Sequence, residues 1–275
     1  MSSGQMSELV GTIDSYGVRV YCELLGLDRL PYPFMATPTS RIPDHVDLER
    51  RNVLDRIKND PPLHLTRWIQ ASMRPDLSMQ LFGVFPADPL DADVDRTIRV
   101  NAVRQGDEGF VALQEPSERD GRSGDIVVYK TDATRLADVV LSLAPQQPAG
   151  GLGDVIVEAP TTAARQSASI LERNDDASET RAQQYNSTET TFSAFVQINA
   201  FRVRDWGYVD RYPHVHWAHK EGDGQYLIDR TDDGKVAHPA DNATLIREVN
   251  QNVAKLLRVV RERRAALTSD GYAGD

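Results

Sequence analysis

Val100-Asn-Ala-Val-Arg-Gln-Gly-Asp-Glu-Gly-Phe-Val111 and Ile198-Asn-Ala-Phe-Arg-Val-Arg-Asp-Trp-Gly-Tyr-Val209 decide how this chain is read. Six of the twelve aligned positions are identical: Asn101/Asn199, Ala102/Ala200, Arg104/Arg202, Asp107/Asp205, Gly109/Gly207 and Val111/Val209. Apolar residues alternate in both, the period of a half-buried strand. Ile98, Val100 and Ala102 share one strand face, as do Val196, Ile198 and Ala200. Gly109 and Gly207 are each expected to end a tight turn with positive φ. Further on, Gly124-Asp-Ile-Val-Val-Tyr-Lys-Thr-Asp132 lies over Gly224-Gln-Tyr-Leu-Ile-Asp-Arg-Thr-Asp232. The offsets, 199 − 101 = 98 and 224 − 124 = 100, nearly agree, so a duplicated unit is predicted.

Around these stretches the same order of elements recurs. After a mobile start, Thr12 or Ser15 caps a helix carrying Val18, Val20, Tyr21, Leu24 and Leu25 and stopped by Gly26. A short strand over 32–37, helices over 44–58 and up to Met73, and strands over 77–84, 96–104, 109–115 and 125–130 follow. Thr131 or Asp132 then opens a helix with Leu136, Val139, Val140 and Leu143 inward. In the second half, helices are expected over 161–172 and 178–186, separated by the acidic stretch 174–179. Strands follow over 191–204, 208–220 and 225–231. Pro239 and Asp241 open a long last helix with Leu245, Ile246, Val249, Val253, Leu256, Leu257 and Val260 on one stripe. The predicted fold class is α+β, with both meanders joined into one central antiparallel sheet. A single domain spans 8–266, made of halves 8–144 and 154–266. A Pro- and Gly-rich linker covers 145–153, with flexible tails over 1–7 and 267–275.

The 275 residues carry 31 basic and 41 acidic side chains, a formal charge of −10. Such a chain repels phosphate backbones and anionic lipid, so neither nucleic acid nor membrane is an expected partner. The basic run Arg258, Arg261, Arg263 and Arg264 is a local exception, read as a helix C-terminus where cations suit the macrodipole. No run approaches the roughly 18 apolar residues of a membrane span, and the start MSSGQMSELVG is unlike a signal peptide. One cysteine, Cys22, excludes an internal disulfide and suits core filling. Together these point to the reducing cytoplasm.

Motifs with chemistry are scarce. Tyr212-Pro-His214-Val-His216-Trp-Ala-His219 resembles the HxHxDH run of metallo-β-lactamase-type hydrolases, which makes a metal-dependent hydrolase the alternative reading. Ala218 stands at the aspartate position, however, and on a regular strand His219 falls beside Trp217, opposite His214 and His216. Asp91-Ala-Asp93-Val-Asp95 begins like a calcium loop but has Arg96 and Ala102 where Gly and Glu are needed. The glycines at 150, 151 and 153 do not make a dinucleotide fingerprint, and no phosphate loop or nucleophile elbow is present. No catalytic residue, metal or cofactor is therefore assigned. The 11-residue stretch Phe85-Pro-Ala-Asp-Pro-Leu-Asp-Ala-Asp-Val-Asp95 is longer than a hairpin needs. It carries Phe85, Leu90 and Val94, which suggests a projecting recognition loop.

Several segments, in order, resemble the EspG proteins, chaperones of type VII (ESX) secretion in mycobacteria and related actinobacteria. Tyr21-Cys-Glu-Leu-Leu-Gly-Leu-Asp-Arg-Leu-Pro-Tyr-Pro33 is similar to that family's first helix and its exit. Asp223-Gly-Gln-Tyr226 and Ala237-His-Pro-Ala-Asp241 are similar to its "DGRY" and "APAD" segments. The likeness runs from about residue 8 to 266. It implies a central antiparallel sheet flanked by two helical bundles, with a pseudo-twofold relation between halves. It also implies a cytosolic, non-enzymatic partner of PE–PPE heterodimers that masks the apolar tip of the PPE subunit. The contacts it implies are the loop, with Phe85, Pro86, Asp88, Leu90 and Asp91, and a C-terminal bundle formed by 161–186 together with 241–264. Gln184, Tyr185 and Asn186 are the candidates within that bundle. A self-assembling scaffold of the same fold is the remaining alternative, and a homo-oligomer is left open.

Overall fold

A computed structural model describes residues 8–40, 42–86, 96–117, 123–158, 175–200, 213–231 and 234–270. Ten strands form one sheet in the order β1-β5-β4-β3-β2-β7-β8-β9-β10-β6, with every neighbouring pair antiparallel. In chain order the strands are β1 Glu8–Ile13, β2 Leu77–Val84, β3 Thr97–Gln105, β4 Glu108–Gln114, β5 Ile126–Asp132, β6 Val155–Glu158, β7 Thr190–Asn199, β8 His214–Lys220, β9 Gly224–Thr231 and β10 Gly234–Pro239. The helices are α1 Ser15–Leu24, α2 Pro43–Asn59, α3 Leu63–Met73, α4 Leu136–Ser142, α5 Asp175–Ser187 and α6 Asn242–Asp270.

Read outward from the β2/β7 joint, the sheet runs β2, β3, β4, β5, β1 on one side and β7, β8, β9, β10, β6 on the other. Among the described residues each half is thus a strand, one or more helices (three in the first, α5 in the second), a four-stranded meander and a closing helix. This order differs in register from the sequence alignment. Topology equates β3 with β8 and β5 with β10. The quoted stretches instead lay β3 over β7 and β5 over β9, one strand out. Arg202, Asp205, Gly207 and Val209 lie outside the described residues. Gly109 is not a turn residue either: it sits in β4 opposite Arg104 and Thr131, and the β3–β4 turn uses Gly106 at φ +61. Other expectations shift by a turn or a strand. Asp14, not Thr12 or Ser15, caps α1, its carboxylate accepting from the Gly17 amide at 2.6 Å. Residues 8–13, where no strand is expected, form an edge strand, and α6 continues to Asp270, through residues expected to belong to a flexible tail.

Alternation sorts the strands onto two faces. On the first, Leu77, Met79, Leu81, Val100, Ala102, Val196, Ile198, Val215 and Trp217 form a core that α4 and α6 cover with Leu136, Val139, Val140, Leu245 and Val249. This core crosses the joint and belongs to both halves. On the second face, α1, α2 and α3 bury Val103, Phe110, Ala112, Ile126 and Val128 around Trp68, Phe34 and Cys22. At the far end of that face, α5 packs Tyr185 against Tyr226, Val155 and Ala237.

Residues 32–37 form no strand. The side-chain amides of β3 and β4 take the bonds a strand neighbour would have made. Asn101 Nδ2 donates to Tyr32 O at 2.8 Å, and Gln114 both donates to Met35 O (2.7 Å) and accepts from its amide (3.0 Å).

The linker is docked rather than loose. The Gly150 amide donates to Gln225 O and the Gln225 amide to Pro148 O, while the Leu152 amide reaches the Tyr226 hydroxyl. A side chain at 150 would overlap the fully buried Tyr226 ring. Gly150→Val is therefore expected to destabilise the chain by about 2–3 kcal/mol in urea unfolding. Gly151→Ala, whose Cβ meets Asp223 Oδ1 at 3.2 Å, should cost much less. Equal losses would deny that the linker is part of the fold.

Candidate functional site

Of the candidate partner-binding residues, Phe85 and Pro86 follow the end of β2, and Gln184, Tyr185 and Asn186 lie in the last turns of α5, which leads into β7, the neighbour of β2. Val84 pairs with Ser193, and the Phe85 amide donates to Arg96 O at 2.9 Å, closing the base of the β2–β3 connection. The Phe85 ring lies 4.8 Å from the Phe192 ring, half-buried on the first face, while Pro86 is exposed. Asp88, Leu90 and Asp91 lie outside the described residues.

Helix α5 packs on the second face and ends three residues before β7. Gln184 and Asn186 are exposed. Tyr185 points the other way, 4% exposed, edge-on to Tyr226 at 5.1 Å, with the Lys220 ammonium 4.3 Å from its ring. Lys220 Nζ also donates to Thr188 O (2.8 Å) and Thr190 Oγ1 (3.0 Å), tying the exit of α5 to β7. Of the three adjacent helix candidates, Tyr185 therefore holds α5 down, and Gln184 and Asn186 offer surface.

Two implied features are redrawn. Helices α5 and α6 pack on opposite faces of the sheet, so they do not form one bundle; the other helix expected in it, 161–172, lies outside the described residues. Helix α6 runs six residues past Arg264, and its last turn holds no basic side chain. The run Arg258–Arg264 is therefore not explained by the macrodipole, which acts within the terminal turn.

The three histidines of the hydrolase alternative do not converge. His214 and His216 share the second face of β8, whereas His219 is buried on the first beside Phe192, its Nε2–H donating to Gln225 Oε1 at 2.8 Å. Gln225 in turn donates to Ala240 O at 3.0 Å. Among the described residues no group of three His, Cys, Asp or Glu side chains could hold a metal ion. The thiol of Cys22 is buried and pushed up to about 12 by that burial, then by Glu23.

Burial, then His214, Lys235 and Arg230, hold His216 well below the usual imidazole range, at about 4, and its Nε2 lies 3.1 Å from Ser193 Oγ. The folded state keeps this ring neutral while the unfolded chain takes up a proton below about pH 6.5. The stability it contributes is complete above that pH and is lost as pH falls toward 4, at up to ~1.4 kcal/mol per pH unit. His219 is lowered by burial too and acts in the same direction. The urea midpoint should fall between pH 7 and pH 5, and His216→Gln should flatten that slope. An unchanged slope would deny the imidazole its part.

Among the described residues no helix is long and apolar enough to cross a membrane. No curated protein sequence matches the chain. Among solved structures it is similar to the Mycobacterium tuberculosis type VII secretion system chaperone EspG5 in complex with a PE25–PPE41 dimer, at 16% identity and a TM-score of 0.49. That match covers 88% of this chain and 95% of that one. The model of the EspG family matches residues 17–251, 235 of the 275 residues, and the chain belongs to that family.

Proposed function

We propose that this chain is a cytosolic chaperone of a type VII secretion system. It binds a PE–PPE heterodimer at the apolar tip of the PPE subunit and keeps that pair soluble for export. The observation that carries this reading is family membership over most of the chain. The exposure of Pro86, just after β2, and of Gln184 and Asn186 in the last turns of α5 is consistent with it.

The work is physical rather than chemical. An exposed apolar helix tip drives aggregation, and covering it with about 800 Å² of surface per partner removes that drive. Apolar residues of the β2–β3 connection supply affinity, and rim amides such as Gln184 and Asn186 discriminate among tips. Co-expression with candidate PE–PPE pairs, followed by size-exclusion chromatography with light scattering, tests the reading. A 1:1:1 complex is expected for a cognate pair. Free chain beside aggregated partners, for every pair tried, would overturn it, and self-assembly alone would favour the scaffold reading.

A further inference from the structure

Gly83 and Ala194 lie directly across from each other on β2 and β7, both on the first face. Two small residues side by side leave a hollow on the sheet, and the Phe192 ring occupies it. A side-chain carbon built on Gly83 would stand 2.7 Å from Phe192 Cζ and 3.3 Å from Ala194 Cβ, so any larger residue there displaces the ring. A bulge precedes Phe192 in β7: Thr190 pairs with Lys220 and Phe192 with His219, two steps on one strand against one on the other. The Phe192 ring, 1% exposed, meets His219 at 5.1 Å and Phe85 at 4.8 Å, tilted by 51° and 47°. His219 is fixed in turn by Gln225 Oε1 at 2.8 Å. Phe192 is thus held by groups deep in the fold, and it touches the half-buried aromatic that stands next to the exposed Pro86.

We propose that Phe192 is a positioning residue for partner binding: seated over Gly83 and backed by His219, it holds the Phe85 ring, and with it the direction in which the chain leaves β2, before a partner arrives. This inference rests on the chaperone reading and deepens it. The Phe85 amide, donating to Arg96 O at 2.9 Å, is the backbone bond that reports whether the ring is in place. A binding surface set in advance has less to order on association. Where only a fraction of the molecules has Phe85 in place, the apparent affinity falls by that fraction. The loss appears in the association rate, because an incoming partner meets only the competent population.

The test compares the wild-type full chain with F192L, G83A and the double variant G83A/F192L, each with an unchanged far-UV spectrum. Hydrogen exchange of the free chain, followed by NMR at pH 7, should show the Phe85 amide exchanging at least tenfold faster in both single variants. The amides of Val100 and Val196, in the central strands, should keep their wild-type rates. Association with immobilised PE–PPE heterodimers from the source genome should be at least tenfold slower in both, with dissociation changed less than threefold. The double variant should associate no more slowly than F192L, since the added methyl no longer meets a ring. Should G83A not fold, F192L carries both readouts by itself. A wild type that binds no pair overturns the chaperone reading and this inference with it. A wild type that binds, beside single variants that associate equally fast, overturns the inference alone. So does an unchanged Phe85 amide, additive slowing in the double variant, or exchange that rises across the whole sheet and marks Phe192 as general core.

Discussion

Aspartate in place of Leu90 is expected to abolish recovery of a PE–PPE pair with this chain, lowering affinity at least 100-fold. The base of the connection that carries it is fixed by the Phe85 amide on Arg96 O and by the Phe85 ring on Phe192. The ten residues between, Pro86–Asp95, hold Asp88, Asp91, Asp93 and Asp95 around Leu90 and Val94. An apolar residue ringed by acids is suited to enter a partner's pocket, with the charges left at a wet rim. A carboxylate there must be stripped of water without a counter-charge, adding desolvation to the loss of apolar contact. Leu90→Ala should therefore cost less, roughly tenfold in affinity. A role in binding rather than in folding requires that the stability of the free chain move by less than ~0.5 kcal/mol in both variants. Binding that survives Leu90→Asp would remove the connection from the interface while leaving the chaperone reading to the α5 end.

The sheet was legible in the sequence wherever alternation is sharpened by burial on at least one face. Strand β2 is found over 77–84 as expected, and β3, β4 and β5 within one or two residues, because apolar side chains recur at every second position. Strands β1 and β6 lie at the sheet edges, where Leu9 and Ile156 are half or more exposed; their patterns lack the contrast that marks a strand. The aligned stretches lie one strand out from the equivalence that the strand order sets. Every strand of a meander shares the same alternation, so a short identity cannot say which strand it belongs to. Turn geometry could have decided it, and the turn glycine is Gly106 rather than Gly109.

The candidate site divides in the same way. Gln184, Tyr185 and Asn186 are adjacent in sequence, but a helix turns about 100° per residue, so three neighbours cannot face one partner. Tyr185 is the one that turns inward. The surroundings of His214 and His216 are half visible in the sequence. Their shared strand face follows from spacing, while the presence of Arg230 and Lys235 across from them depends on strand pairing. Gln80, Asn101, Gln197 and Asn199 are polar residues alternating with apolar ones along their strands, yet all four are buried on the second face. Gln80 links to Ser78 and Asn199 by side-chain hydrogen bonds. Their burial is a property of the assembled sheet, not of any strand alone.

Removing the Trp217 side chain should cost about 3–5 kcal/mol, the largest single effect on stability expected here. Its ring is 1% exposed, opposite Ala194 and Leu227 on the neighbouring strands, in the core closed by Leu245 and Val249 of α6. That core also holds Leu77, Val100 and Leu136 of the first half, so a void beneath α6 loosens packing on both sides of the β2/β7 joint. Unfolding followed by far-UV circular dichroism should therefore show one transition, shifted as a whole. A first half that persists after the second has melted would mean the two are separate domains. Trp217→Phe provides the sharper comparison. The indole Nε1 is buried without a hydrogen-bond partner, so exchange for phenylalanine removes an uncompensated donor along with part of the ring. The two changes oppose each other, and the net loss should stay below ~1.5 kcal/mol. A phenylalanine variant as unstable as the alanine one would show that shape complementarity around the full indole, rather than apolar volume, holds the two halves together.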